Sequence, residues 1–134
     1  GKLMGVGAIG TNLMELKHTE ERFRASEAQL RARVQARRDA LIALDMPTVY
    51  AYATPTYRAT YDLRHLSGQY GGQIQRKRID IDSVEIDEAG TTAKVNVLVW
   101  AETSGFGSGM IEVSTVSKGT WVKRDGLWWY VEPR

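Results

Sequence analysis

The sequence predicts an α+β domain, with three N-terminal helices packed on a strongly curved antiparallel sheet of four to five strands. Such a layering buries the apolar faces of both the long helix and the sheet. Three observations carry this expectation. Residues 12–44 contain no proline and are dominated by Ala, Glu, Gln, Leu and Arg, a helical composition. From Ile79 onward the apolar period changes from helical spacing to two. Thr120 to Tyr130 reads as a β-hairpin, because strand formers flank Asp125-Gly126, a two-residue loop that tolerates the positive φ angles of a type I′ turn.

Each element has its own signal. In the first helix Leu30, Val34, Leu41 and Leu44 mark one face, and Leu16, Phe23 and Leu30 continue the stripe upstream at sevens. Glu20–Arg24 and Glu27–Arg31 are supporting i,i+4 pairs. Ser26 is a candidate cap for a second segment. Asp45-Met46-Pro47 breaks the helix. Thr48 to Ala53 is a second helix, stopped at Thr54-Pro55, and Thr56 to Tyr70 a third, ending at Gly71-Gly72. Ile79 and Ile81 then alternate with charged neighbours, while Val84 and Ile86 take the opposite parity. That phase slip at Asp82-Ser83 predicts a β-bulge and a sharp bend. Asp87-Glu88-Ala89-Gly90 is a turn. Ala93, Val95, Val97, Val99 and Ala101 give one inward face. A glycine-rich loop at 103–109 leads into the strand from Met110.

Composition bounds the function classes. At 134 residues the chain is one domain with a real core. The absence of Cys excludes disulfides, thiolate catalysis and cysteine zinc sites. It does not choose between a cytoplasmic and an exported or periplasmic setting. A net charge of +2 is too small to imply a nucleic-acid partner. No metal-ligand spacing or cofactor loop is visible, so no metal or cofactor is expected. Residues 1–25 form an N-terminal extension to an α+β domain at 26–134. The extension opens on Gly1 and Lys2, and Leu3 to Met14 is uncharged and rich in small residues. It reads as a tag scar, the remnant of a signal peptide or membrane anchor, or a helical arm. Its apolar run is too short to span a bilayer, so no membrane partner is expected except through a lost anchor.

Ala40-Leu41-Ile42-Ala43-Leu44-Asp45, then Tyr50-Ala51-Tyr52, then Thr54-Pro55-Thr56-Tyr57-Arg58, resembles the opening of the nuclear transport factor two-like (SnoaL-like) α+β cone superfamily. The close, from Trp121 through Asp125-Gly126 to Trp128 and Tyr130, is similar to the ending of such domains. The resemblance covers about residues 27–132 and departs from the usual pattern at Met46. It implies a cone with an internal pocket between sheet and helices, and frequent dimers formed through the open sheet face. It implies no single function, since related folds include isomerases, dehydratases, epoxide hydrolases, small-ligand binders and adaptors.

The residues offer a few constellations. Asp62, His65 and Tyr61 lie within one helical turn, where a carboxylate at i,i+3 would hold a histidine charged for acid–base work. The plainer and preferred reading of the same residues is a surface ion pair or a helix-end histidine bonding backbone. Tyr50, Tyr52, Tyr57 and Tyr61 cluster on the second and third helices, either as packing or as walls for a flat apolar ligand. Arg78, Asp80 and Asp82 have the residue types of an epoxide-hydrolase-like site, but at alternate strand positions they read as a solvated face. His18 reads as a solvated residue. The sequence therefore favours a non-enzymatic small-ligand-binding or protein-interaction domain. The alternative is a lyase, isomerase or hydrolase with His65, Asp62 and Tyr57 as catalytic candidates.

For a ligand, Tyr57, Tyr61, His65 and Trp121 are the expected contacts, above Val95, Val97 and Val99, in a cavity of roughly 300 Å³ or more. The alternation turns Leu98 and Trp100 outward, and hairpin pairing adds Val122 and Trp129. Two exposed Trp make an apolar patch that monomers rarely leave wet, so these four residues are the expected homodimer interface. In the same hairpin Trp121, Trp128 and Tyr130 share one face, and Val122, Trp129 and Val131 the other; both are apolar, and it is the resemblance that sets the first towards the helices.

Overall fold

The computed structural model describes residues 2–70, 74–104 and 109–133, with side chains from residue 19 onward apart from 104 and 110. Four helices precede four strands: α1 Lys2–Ala43, α2 Met46–Ala51, α3 Pro55–Thr60, α4 Leu63–Tyr70, β1 Gln75–Ile86, β2 Thr92–Ser104, β3 Met110–Arg124 and β4 Leu127–Tyr130. The strands form one antiparallel sheet in chain order, β1-β2-β3-β4. This is the expected α+β layering, a helical layer on a curved sheet.

The helix α1 is continuous through Ser26, which caps nothing. The Ser26 carbonyl and hydroxyl instead each accept from the Trp128 indole N–H at 3.1 Å, and the Lys123 ammonium donates to the same hydroxyl. Leu30, Val34 and Leu41 are buried as the stripe requires. Leu44 departs from it, standing 55% exposed with φ of 57°. Asp45 N–H donates to the Ala40 carbonyl and Leu44 N–H to the Leu41 carbonyl, the bonding of a Schellman end. Leu44 thus turns the chain out of α1 and cannot also pack under it.

Asp45 caps α2, accepting from the Thr48 backbone and hydroxyl. The single third helix expected from sequence is two. Tyr61 is extended, and Asp62 restarts the chain as the N-cap of α4: its carboxylate accepts from His65 N–H at 2.9 Å and its carbonyl from Leu66 N–H.

In β1 the register against β2 slips between Ile81 and Ser83, where the parity of the sequence changes, and again between Arg76 and Arg78. Extra residues of this kind raise the local twist and bend the strand. The β3–β4 turn has φ of 53° at Asp125 and 80° at Gly126, a type I′ geometry. Trp121 and Trp128 are buried at 2% and 0% exposure, and Trp129 lies on the other face, half-buried, so the hairpin faces as expected. Beyond β4, Tyr130 N–H donates to the Tyr52 carbonyl and Ala53 pairs with Tyr130 in parallel. Within β3, β4 pairs with Trp121–Arg124 alone, and β3 is exposed from Ile111 to Lys118.

Two apolar clusters fill the interior. One joins Ala40 and Leu41 of α1 to Val49, Ala53, Tyr57, Leu66 and Ile79. The other joins Leu30 and Val34 to Ala93, Val95, Trp121 and Trp128. Val97 packs against both. No helix among the described residues is long and apolar enough to cross a membrane.

Candidate functional site

Alternation along β2 and the run of α1 create a cavity between them. Val95, Val97 and Val99 form its floor, with Ile79 of β1 and Ser117 and Gly119 of β3 beside them. Val34, Arg37, Arg38 and Leu41 line it from α1, and Tyr70, Arg76, Trp121 and Tyr130 complete the wall. Gly119 keeps the floor low, because a Cβ there would stand 2.9 Å from the Tyr130 ring. The volume is about 130 Å³. That is below the roughly 300 Å³ of ordinary ligand pockets, and close to the engineered cavity of about 150 Å³ that binds benzene.

The polar wall is organised around Arg37. Arg37 is 9% exposed. Its Nη2 donates to the Tyr70 hydroxyl at 2.6 Å and to Glu132 Oε1 at 3.3 Å. The Tyr70 hydroxyl donates in turn to Glu132 Oε2 at 2.8 Å. The guanidinium also lies 3.6 Å from the centre of the Tyr130 ring, a cation–π contact. Glu132, 4% exposed, is therefore a buried carboxylate matched by one cation and one phenol. Burial pushes the Tyr70 and Tyr130 hydroxyls above the usual phenol range, and the Glu132 charge adds to the effect.

One buried donor is left over, since Arg37 Nε has no hydrogen-bond partner. Arg38 pairs with Asp39 at 3.1 Å, and Arg76 stacks over Tyr70 without a salt bridge among the described residues. The wall thus presents three guanidinium groups, with no Asp, Glu or His among the lining residues. Two of them are matched, Arg37 by Glu132 and Arg38 by Asp39, which leaves Arg76 as the guanidinium best placed for added negative charge.

Of the ligand contacts expected from sequence, Trp121 lines this cavity above the expected valines, whereas Tyr57, Tyr61 and His65 do not. Those three are nonetheless brought together. Tyr61 stacks on His65 at 4.4 Å and packs on Tyr57 at 4.9 Å. Gln69 links the Tyr57 hydroxyl and the His65 ring at 3.4 Å each. Tyr57 is buried in the core and His65 is exposed. The Asp62 carboxylate binds the His65 backbone N–H, so the i,i+3 spacing serves a helix cap. Arg78 and Asp80 pair at 2.8 Å on the surface, with Arg78 over Trp100. Among the described residues no cluster could hold a metal ion.

The four expected interface residues are spread along the sheet. Trp100 pairs with Ser114 and Val122 with Thr92, eight residues apart along β2, or about 26 Å. Trp129 is covered by Arg33 and Arg58, 4.9 and 5.1 Å from its ring centre. Sequence reasoning missed Arg37, Arg38, Tyr70, Arg76 and Glu132. The one available signal was Arg37 itself, three residues after Val34 and four before Leu41, on the apolar face of α1.

No protein-family model matches the chain, and no curated protein matches its sequence. Solved structures do match its fold. A SEC-C motif containing protein from Rhodopseudomonas palustris superposes with a TM-score of 0.60 at 16% identity, over 75% of this chain and 73% of that one. A candidate dehydratase of the nuclear transport factor two-like family from Streptomyces avermitilis gives 0.56 at 13% identity, over 80% and 92%. An LEH-like epoxide hydrolase from Mycobacterium tuberculosis gives 0.50 at 15% identity, over 75% and 74%. At these identities the likeness is one of fold: the chain is a cone-like α+β domain, of an architecture that carries unrelated activities.

Proposed function

We propose that this domain is a non-catalytic binding module for a small organic anion. The ligand is a carboxylate or similar acid on a short apolar body, no larger than a single ring. The observation that carries this reading is Arg76, a cavity-lining cation with no salt bridge among the described residues. A cation of that kind beside an apolar floor suits an anion with an apolar body. Arg37 and Arg38 stand on the same wall, each already paired with a carboxylate, while Val95, Val97 and Val99 supply an apolar bed. A volume near 130 Å³ suits the ring of benzoate by comparison with the benzene-sized cavity. The lack of any carboxylate or imidazole in the lining favours retention of a ligand over its conversion.

Trp121 in the wall provides the test. Benzoate is expected to change tryptophan fluorescence and to raise the melting temperature. Benzamide, the neutral isostere, is expected to bind at least about tenfold more weakly, the loss of one charge-assisted contact. Arg76→Gln is expected to remove that preference. Equal binding of both compounds overturns the anion class but keeps a binding cavity. The absence of any response to either compound overturns the binding reading.

A further inference from the structure

We propose that β3 pairs with β3 of a second copy of this chain, edge to edge and antiparallel, so that two four-stranded sheets become one continuous sheet across a twofold axis. Among the described residues the sheet leaves two long stretches of edge open, and they differ. β1 carries Arg76, Lys77, Arg78, Asp80 and Asp82 and two breaks of register. Charges and bulges are the usual devices that stop an edge from pairing. β3 from Ile111 to Lys118 has no proline, no break of register against β2 and only two charges. Its Ile111, Val113 and Val116 are 48%, 42% and 54% exposed.

The hydrogen bonds fix which backbone groups face out. Thr120 accepts from Val131 on the β4 side, and Lys123 donates to Thr91 on the β2 side. With the period of two, Glu112, Ser114, Val116 and Lys118 direct their N–H and C=O groups to the open edge. A twofold axis perpendicular to the sheet keeps side-chain faces matched. With the axis at Thr115, Glu112 meets the partner's Lys118, Ser114 meets the partner's Val116, and each pair exchanges both backbone bonds.

The charges select this register. Two Glu112–Lys118 contacts form, related by the axis, on one face of the joined sheet. Within one chain Glu112 lies opposite Glu102, a destabilising juxtaposition. Lys77 reaches Glu102 at 3.8 Å, while Glu112 has no ion pair among the described residues. A second copy supplies the missing cation.

The test is sedimentation equilibrium of the full chain. The native chain is expected to be a dimer. Ser114→Pro is expected to make it monomeric with unchanged circular dichroism, because the N–H it removes faces the open edge. Glu112→Lys and Lys118→Glu are each expected to weaken the dimer at least about tenfold, because each sets like charges opposite each other. An equimolar mixture of those two variants is expected to dimerise again, since each mixed pair restores both contacts. Trp100→Glu, on the outer face, is expected to leave the dimer intact. A monomeric native chain overturns the proposal. So does a dimer that survives Ser114→Pro or yields to Trp100→Glu, and so does a failure of the mixture to recover.

Discussion

Tyr70 holds the most informative side-chain position in the molecule. Its hydroxyl accepts from Arg37 and donates to Glu132, so its proton is part of the buried network. Burial raises its pKa above the ordinary value of about 10, and burial does the same for Tyr130. A folded-state pKa above the unfolded one gives stability that is complete below pH ~10 and is lost as pH rises from there. Urea unfolding is therefore expected to show a midpoint that falls between about pH 10 and 11. The loss approaches about 1.4 kcal/mol per pH unit for Tyr70. Tyr70→Phe is expected to be less stable at pH 7 and to show a shallower alkaline slope. An unchanged slope would mean that Tyr70 ionises freely. None of this was legible in the sequence. Tyr70 precedes a glycine pair and reads as a helix end, and Glu132 reads as a polar tail residue. Their partnership depends on 62 residues of chain returning to one place.

At the scale of elements, α4 separates two accounts of Asp62. As an N-cap, Asp62 satisfies an orphan backbone donor of a two-turn helix. Asp62→Ala is expected to cost about 1 kcal/mol, and Asp62→Asn only a small part of that, because asparagine caps as well. Thermal or urea unfolding measures both. If asparagine costs as much as alanine, the carboxylate charge matters, and the pairing with the His65 ring regains support. The strands were more legible than the helices. The bulge at Asp82-Ser83 and the type I′ turn at Asp125-Gly126 are local devices written in adjacent residues. The division of the third helical stretch at Tyr61-Asp62 was not, because its composition continues through the break. Only the cap bond to His65 reveals it. Leu44 fits the helical period yet leaves the helix, since periodicity cannot mark a residue that takes a left-handed angle.

For the whole molecule, the two apolar clusters share α1 and Val97, and so they are expected to unfold together. Leu30→Ala, at 0% exposure, is expected to cost about 2–5 kcal/mol. Tryptophan fluorescence reports mainly the cluster of Trp121 and Trp128, while far-ultraviolet circular dichroism reports the helices. Both probes are expected to shift to the same lower midpoint. Separate midpoints would mean that the clusters are independent. The architecture at this scale was legible because helices followed by strands leave few ways to bury both apolar faces. The cavity was less so. Its floor follows from alternation in β2, but its wall comes from α1, α4, β1, β3 and β4, which no window of sequence places together.

The clasp between Ser26 and Trp128 has a consequence for the order of events in the cell. The two residues are 102 positions apart, and Leu30 and Val34 depend on the same late hairpin for cover. A chain made from its N-terminus at about 5–20 residues per second carries the α1 stripe without its partner for about 5–20 s. During that interval the nascent helix is a ready ligand for any chaperone that reads apolar faces. The finished fold is sealed from the other end of the chain.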